Sequence, residues 1–210
     1  MNTDSDNGVL VFVKYPTPGR VKTRLAEELG GERAAELYKR FVTDILETLG
    51  DLDMRLKILF SPPDAEQEFR LWLGDEYTYT AQDGEDLGQR MKNALGEAFA
   101  NGFAKAIVVG SDSPDVPGDY VMESFSSLDS SDAVIGPTSD GGYYLIGFSK
   151  ESFLPEAFED IDWSTPKVLE QTVGKLETHG RKIHLLQQWY DVDTLADLEA
   201  LTRRKLKAHF

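Results

Sequence analysis

Cysteine is absent from all 210 residues. That excludes disulfides, thiolate zinc centres, iron–sulfur clusters and cysteine nucleophiles. Positive charge is scarce: 22 lysines and arginines stand against 37 acids, a formal charge of −15. Nucleic acid or an anionic membrane as main partner would need a broad basic face, so neither is expected. No apolar run approaches the roughly 20 residues that span a bilayer. Histidine is limited to three residues, and no two have metal-site spacing. What remains is 40% apolar and 28% charged, the balance of a folded, soluble chain. Residues 1–7 are polar and acidic and lack the basic and apolar parts of a signal peptide. They read as a disordered leader on a cytoplasmic protein, ahead of a single domain over 8–210.

Short apolar runs alternate with helix-period stripes. Gly8–Tyr15, Arg55–Phe60, Tyr77–Ala81, Ala104–Gly110, Asp132–Pro137, Tyr143–Phe148 and Lys182–Leu186 read as strands. Glu32–Leu49, Asp64–Leu73, Leu87–Ala100, Tyr120–Leu128, Pro166–His179 and Thr194–Lys207 read as helices. Thr194 and Asp197 fit a capping box at the last of these. Strands separated by helices predict an α/β fold, a mostly parallel sheet covered on both faces in three α/β/α layers.

In such sheets, ligands bind beyond the carboxyl ends of the strands. Four loops there carry chemistry. Pro16–Leu25 (PTPGRVKTRL) follows the first strand. Between Gly8 and Ala26 stand Lys14, Arg20, Lys22 and Arg24 and no acid, a positive island in an acidic chain. Gly19 permits close backbone approach, and Arg20, Lys22 and Arg24 can converge on phosphate oxygens. Gly110–Asp115 (GSDSPD) follows the most strand-like segment. Its Asp112 suits a hard divalent cation that bridges carboxylate to phosphate, while Asp115 reads equally as a cap on the next helix. In Tyr190–Thr194 (YDVDT), Asp191 and Asp193 point to opposite sides if the segment is extended, one toward a site and the other holding the loop. In Gly136–Tyr144 (GPTSDGGYY), the glycine pair Gly141 and Gly142 can approach a ligand and Asp140 can contact it, or the segment is a hairpin turn. Only one of Tyr143 and Tyr144 is expected to face a ligand. Trp163 either lines an acceptor pocket or packs before a helix. His184 reads as a packed strand residue.

The segments Phe12–Leu25, Gln82–Met91, Gly110–Asp115, Asp140–Gly147, Trp163–Leu169 and Tyr190–Leu198 resemble, in this order, the arsenosugar-biosynthesis-type glycosyltransferase family. That family of unknown-function domains lies within the nucleotide-diphospho-sugar transferase superfamily, and the resemblance spans almost the whole chain. It implies a single-domain, Rossmann-like glycosyltransferase-A fold, a nucleotide or nucleotide-sugar donor, a small-molecule acceptor and Mg²⁺ or Mn²⁺. It implies a nucleotide grip at Gly19, Arg20, Lys22, Thr23 and Arg24, with Gln82 and Gly88 toward the base. It implies metal ligation by Asp112 with Asp193 or Asp191. Asp112, Asp140 and Lys22 become the catalytic candidates, and Gly141, Gly142, Tyr143 and Trp163 the substrate-binding ones. Two departures stand out. A glycine-rich LAGG-type opening is replaced by Phe12-Val13-Lys14-Tyr15, and the metal-site motif reads SDSPD rather than Asp-x-Asp.

Three functions compete on these residues. The first is metal-dependent glycosyl transfer from a nucleotide-sugar. The second is nucleotidyl transfer from a nucleoside triphosphate to a phosphorylated small molecule, resembling guanylyltransferases, with release of pyrophosphate. The third is a non-catalytic nucleotide-binding module, against which the intact aspartates speak.

Overall fold

The computed structural model describes residues 6–52 and 54–207. The expected leader therefore lies largely outside the described residues. The first strand already begins at Asn7, paired with Lys105.

Seven strands form one sheet: β1 (Asn7–Lys14), β2 (Arg55–Ser61), β3 (Thr78–Ala81), β4 (Lys105–Gly110), β5 (Ala133–Pro137), β6 (Tyr143–Ser149) and β7 (Ile183–Leu185). Their order is β3-β2-β1-β4-β6-β5-β7. Only β6 runs antiparallel to its neighbours. Among the described residues, seven α-helices accompany them, besides a 3-10 turn over Pro155–Phe158: α1 (Thr23–Leu29), α2 (Gly31–Gly50), α3 (Glu66–Leu73), α4 (Leu87–Ala100), α5 (Gly118–Ser127), α6 (Val168–Thr178) and α7 (Leu195–Lys207).

The sequence of β1 shows why it lies in the middle. Val9, Val11 and Val13 face one core and Leu10 and Phe12 the other, all buried. A strand covered on both faces has no polar side to show. The first core is closed by α2, α3 and α5, through Tyr38, Ile45, Phe69 and Phe125. The second is closed by α4 and α6, through Met91, Leu95, Phe99 and Leu176. The three-layer α/β/α expectation holds. A small third cluster joins Leu25 of α1 and Phe41 of α2 to Val192, in the loop before α7, and to Leu201 of α7.

The chain leaves β1 toward β2 on one side and returns to β4 on the other. That reversal opens a crevice at the carboxyl ends of β1 and β4. The turn between β5 and β6 is the hairpin-type connection weighed above. The end of the expected Pro16–Leu25 loop is helical: α1 starts at Thr23, and its seven residues are too few to display a helical period. His184 is a correction: the edge strand β7 leaves it 37% exposed, with Nε2 at 2.8 Å from Glu123 Oε1. Asp115 is another. It caps no helix. Instead it accepts from Arg204 Nε at 2.6 Å and from Trp189 Nε1 at 3.2 Å, and so pins α7 to the loop after β4.

Candidate active site

The crevice is a cleft of about 440 Å³. Its polar end is built by three loops that the chain brings together from far apart. After β1, a turn closed by Arg20 N–H to the Thr17 carbonyl (3.0 Å) leads into α1. Gly19 takes φ +75, and its backbone lies against Gly31. It shapes the turn and does not line the cleft. Arg20, Thr23 and Arg24 are exposed on the cleft wall. Among the described residues, neither arginine forms an ion pair.

Lys22 behaves differently. It holds a left-handed backbone (φ 46, ψ 51) just before α1. Its side chain is only 3% exposed. The ammonium donates to Asp193 Oδ1 at 2.8 Å and forms an ion pair with Asp112 Oδ1. Burial works against its charge, but the two carboxylates outweigh that and raise its pKa above the ordinary lysine value.

Asp112 and Asp193 meet there because their loops are joined. The Val192 N–H donates to the Asp112 carbonyl at 2.9 Å, and Val192 itself is fully buried. The aspartates on either side of Val192 therefore diverge. Asp193 lines the cleft. Asp191 turns away and accepts from Ser113 Oγ at 2.7 Å, beside a separate shallow depression that includes Arg203 and Arg204. Burial first, then the nearby Asp112, pushes the Asp191 carboxyl up to about 7.

The floor is held by a residue of α2 that is not among the site residues expected from sequence. Tyr38 is buried. Its hydroxyl accepts from the Lys14 N–H at 3.0 Å and shares a hydrogen bond with Ser111 Oγ at 2.8 Å. This ties the end of β1 to the end of β4. Burial, then Asp112, pushes the Tyr38 hydroxyl up to about 12, so it remains protonated.

The other end of the cleft is apolar, walled by Phe12, Leu87, Met91, Val108 and Ile146. Gln82 borders it, but its amide Nε2 is committed to the Leu59 carbonyl at 2.8 Å. Arg90 stands alongside, its Nε on the Gly84 carbonyl at 3.0 Å and its Nη1 on Gln82 Oε1 at 3.5 Å. Arg90 lies within the Gln82–Met91 segment but is not among the site residues expected from sequence. Nothing local distinguishes a cleft-facing arginine from a solvated one. Gly88 is buried beneath Trp163, whose ring would lie 2.5 Å from an added Cβ. Neither residue lines the cleft.

The rim opposite the arginines comes from two packed turns. Asp140 Oδ1 accepts from Thr138 Oγ1 at 2.5 Å and from the Gly142 N–H at 3.1 Å. Gly141 presses on the Pro166 carbonyl so closely that an added Cβ would lie 2.1 Å from it, and its own carbonyl accepts from Leu169 N–H at 2.9 Å. Asp140, Gly141 and Gly142 stand behind the cleft wall. Tyr143 and Ser164 reach it. The two tyrosines leave β6 on opposite faces: Tyr143 packs toward the second core, and Tyr144 is buried in the first, its hydroxyl donating to the Gln187 carbonyl at 3.2 Å.

Among the described residues, no group of three or more histidine, cysteine, aspartate or glutamate side chains converges on a point. Two carboxylates do. Asp112 and Asp193 share one cation, and their side chains are 53% and 41% exposed. Mg²⁺ is commonly held by one or two carboxylates, with water and substrate phosphates completing its shell. This donor set fits that habit.

The family described as "Uncharacterized protein conserved in bacteria (DUF2064)" matches residues 45–165, more than half of the chain. Comparison with the curated proteins finds no match. A crystal structure from Desulfovibrio desulfuricans G20, described as a candidate nucleotide-diphospho-sugar transferase, is 45% identical. It covers 95% of this chain and 87% of its own, with a TM-score of 0.92. A CMP:2-keto-3-deoxy-manno-octonic acid synthetase complexed with CTP is 12% identical, over 98% of this chain and 99% of its own, with a TM-score of 0.60. An inositol-1-phosphate CTP transferase from T. maritima is 14% identical, over 92% and 91%, with a TM-score of 0.58. The last two share the fold.

Proposed function

This chain belongs to the DUF2064 family, and on that premise we propose that it is a metal-assisted transferase that moves a glycosyl group from a nucleotide-diphospho-sugar to a small-molecule acceptor. One observation carries the reading: a single cleft joins the unpaired guanidiniums of Arg20 and Arg24 to the converged carboxylates of Asp112 and Asp193. The 45% identical relative, described as a candidate transferase of this kind, supports it, as does the resemblance to arsenosugar-type enzymes.

In the reaction, the bond between the sugar carbon and the β-phosphate oxygen breaks. An acceptor hydroxyl takes that carbon and releases its proton, and the nucleoside diphosphate departs. Arg20 and Arg24 bind the diphosphate, since planar guanidiniums meet phosphate oxygens two at a time. Their charge is in place before the leaving group gains its own, so they stabilise the transition state without reorganising. The apolar wall seats the ring of the base and excludes water, and Arg90 offers N–H donors at its edge. The acceptor enters along the rim of Tyr143 and Ser164. Bound by Asp112 and Asp193, Mg²⁺ would supply Lewis-acid neutralisation of the diphosphate.

Nucleotidyl transfer is the second reading. Lys14, Arg20, Arg24 and Arg90 all border the cleft, more cations than a diphosphate requires and well suited to a triphosphate.

The two readings separate in a thermal-shift panel of nucleotide-sugars and nucleoside triphosphates, with and without Mg²⁺. A ligand at 100 times its Kd stabilises the native state by about 2.7 kcal/mol. Selective stabilisation by a nucleotide-sugar is the expected outcome. Selective stabilisation by a triphosphate favours the second reading, and no shift with any nucleotide overturns both. Asp112→Ala is expected to abolish the Mg²⁺-dependent part of the shift and to lower kcat by about 100-fold or more.

A further inference from the structure

Lys22 is the residue whose position departs furthest from its expected role. Standing in a cationic loop, it was expected to meet phosphate. Instead its left-handed backbone turns it inward, and its side chain is almost wholly buried. An L-residue adopts that conformation at a cost in strain, so its surroundings must hold it there. Those surroundings are Asp112 and Asp193, each giving its Oδ1 to the same ammonium. Behind the ammonium lies the Phe41 ring, with its centroid 5.9 Å away.

Two carboxylates brought together repel each other unless a cation lies between them. Lys22 supplies that cation from within the chain. A divalent metal bridging the same two oxygens would need the same point in space, because metal–oxygen distances are about 2.0–2.1 Å for Mg²⁺. Two cations do not share such a point. We infer that Lys22 is a built-in surrogate for the divalent cation: it holds Asp112 and Asp193 together in the ligand-free protein and must release both before a metal can bridge them. This deepens the transferase reading and rests on it for the identity of the metal and donor. Donor phosphates offer Lys22 a replacement anionic partner at the same end of the cleft, so donor and metal assist each other's binding, with equal coupling in both directions.

The test needs no donor. Mn²⁺ binding to the nucleotide-free protein is followed by electron paramagnetic resonance of free Mn²⁺. Lys22→Met, which removes the charge and keeps the bulk, is expected to bind one Mn²⁺ at least about tenfold more tightly than wild type, the charge removed being in contact with both ligands. Lys22→Gln, uncharged but still able to donate to the carboxylates, is expected to do the same. Adding Asp112→Asn to Lys22→Met is expected to remove that binding. Equal or weaker binding by both Lys22 variants overturns the proposal and leaves the transferase reading intact. Absence of Mn²⁺ binding by every form overturns it together with the metal part of that reading. Wild-type protein gives an answer that does not depend on any variant folding. In ¹³C-lysine NMR, the Lys22 Cε resonance is expected to shift as Mg²⁺ saturates the site, and a resonance unmoved at saturation overturns the proposal.

Discussion

Arg24 and Lys22 stand two positions apart at the start of α1, carry the same charge and do different work. Arg24 is exposed and unpaired on the cleft wall, whereas Lys22 is buried against Asp112 and Asp193. Arg24→Ala is therefore expected to raise the KM for the donor about tenfold or more, by loss of charge-assisted phosphate contacts. Its unfolding free energy should stay within about 0.5 kcal/mol of wild type, as is usual for exposed sites; steady-state kinetics and urea melts check the two halves. Asp191 makes a prediction of the opposite kind, about stability alone. Burial first, and then the negative charges of Asp112 and Asp140, outweigh the Ser113 hydrogen bond and the charge of Lys22, and the net result is a pKa of about 7 against an ordinary 3.8. The native protein thus keeps a proton that the unfolded chain has lost between about pH 4 and pH 7. Stability from this group is full below about pH 4 and declines through pH 7, by up to about 1.4 kcal/mol per pH unit. Urea melts across that range should show a flatter profile for Asp191→Asn than for wild type, and identical slopes would remove Asp191 as the cause. The charge of these residues was legible from local counting. The inward turn of Lys22 was not, because its partner Asp193 lies 171 positions away.

Helix α4 shows how an element places a site it barely touches. Asp86 caps it by accepting from the Gln89 N–H at 2.8 Å. The first turns then present Leu87, Arg90 and Met91 to the cleft, at the three- and four-residue spacing that puts side chains on one face. Gly88, on a different face, lets Trp163 lie against the helix. Ala in a helix interior is worth up to about 1 kcal/mol over Gly by propensity. Here a Cβ would meet the Trp163 ring at 2.5 Å, and overpacking of that kind costs about 1–3 kcal/mol. The clash wins, so Gly88→Ala is expected to destabilise, read as a lower urea midpoint with altered Trp163 fluorescence. Element by element, long stripes were easy to find. The span of α4 agrees with its period over Leu87–Ala100, and the capping box at α7 is present, with Asp197 Oδ2 accepting from Thr194 N–H at 2.8 Å. The short helix α1 was not easy to find: its seven residues form a helix through packing against neighbours rather than through local pattern.

Across the whole molecule, both cores are built on opposite faces of one sheet and share β1, β2, β4, β5 and β6. Neither can lose its packing without exposing the back of the other. Trp72 packs on the first core and Trp163 on the second. Urea unfolding followed separately through each core, in a Trp72→Phe/Trp189→Phe background and in a Trp163→Phe background, is expected to give coincident midpoints, and two separated transitions would contradict the shared-sheet argument. No helix among the described residues is long and apolar enough to cross a membrane. The layered α/β architecture, the cationic loop after β1 and the acidic loops after β4 and β7 are all written in near-neighbour patterns: period, charge and turn residues within a dozen positions. Which aspartate of Asp191 and Asp193 faces the cleft, that Lys22 fills the space between two carboxylates, and that Arg90 lines the cleft while Gln82 is tied to the backbone depend on a different kind of information. They follow from the strand order that seats β4 beside β1, and from one backbone hydrogen bond between Val192 and Asp112. Contacts of that range arise only once burial of the two cores has offset the entropy of closing the long loops between them.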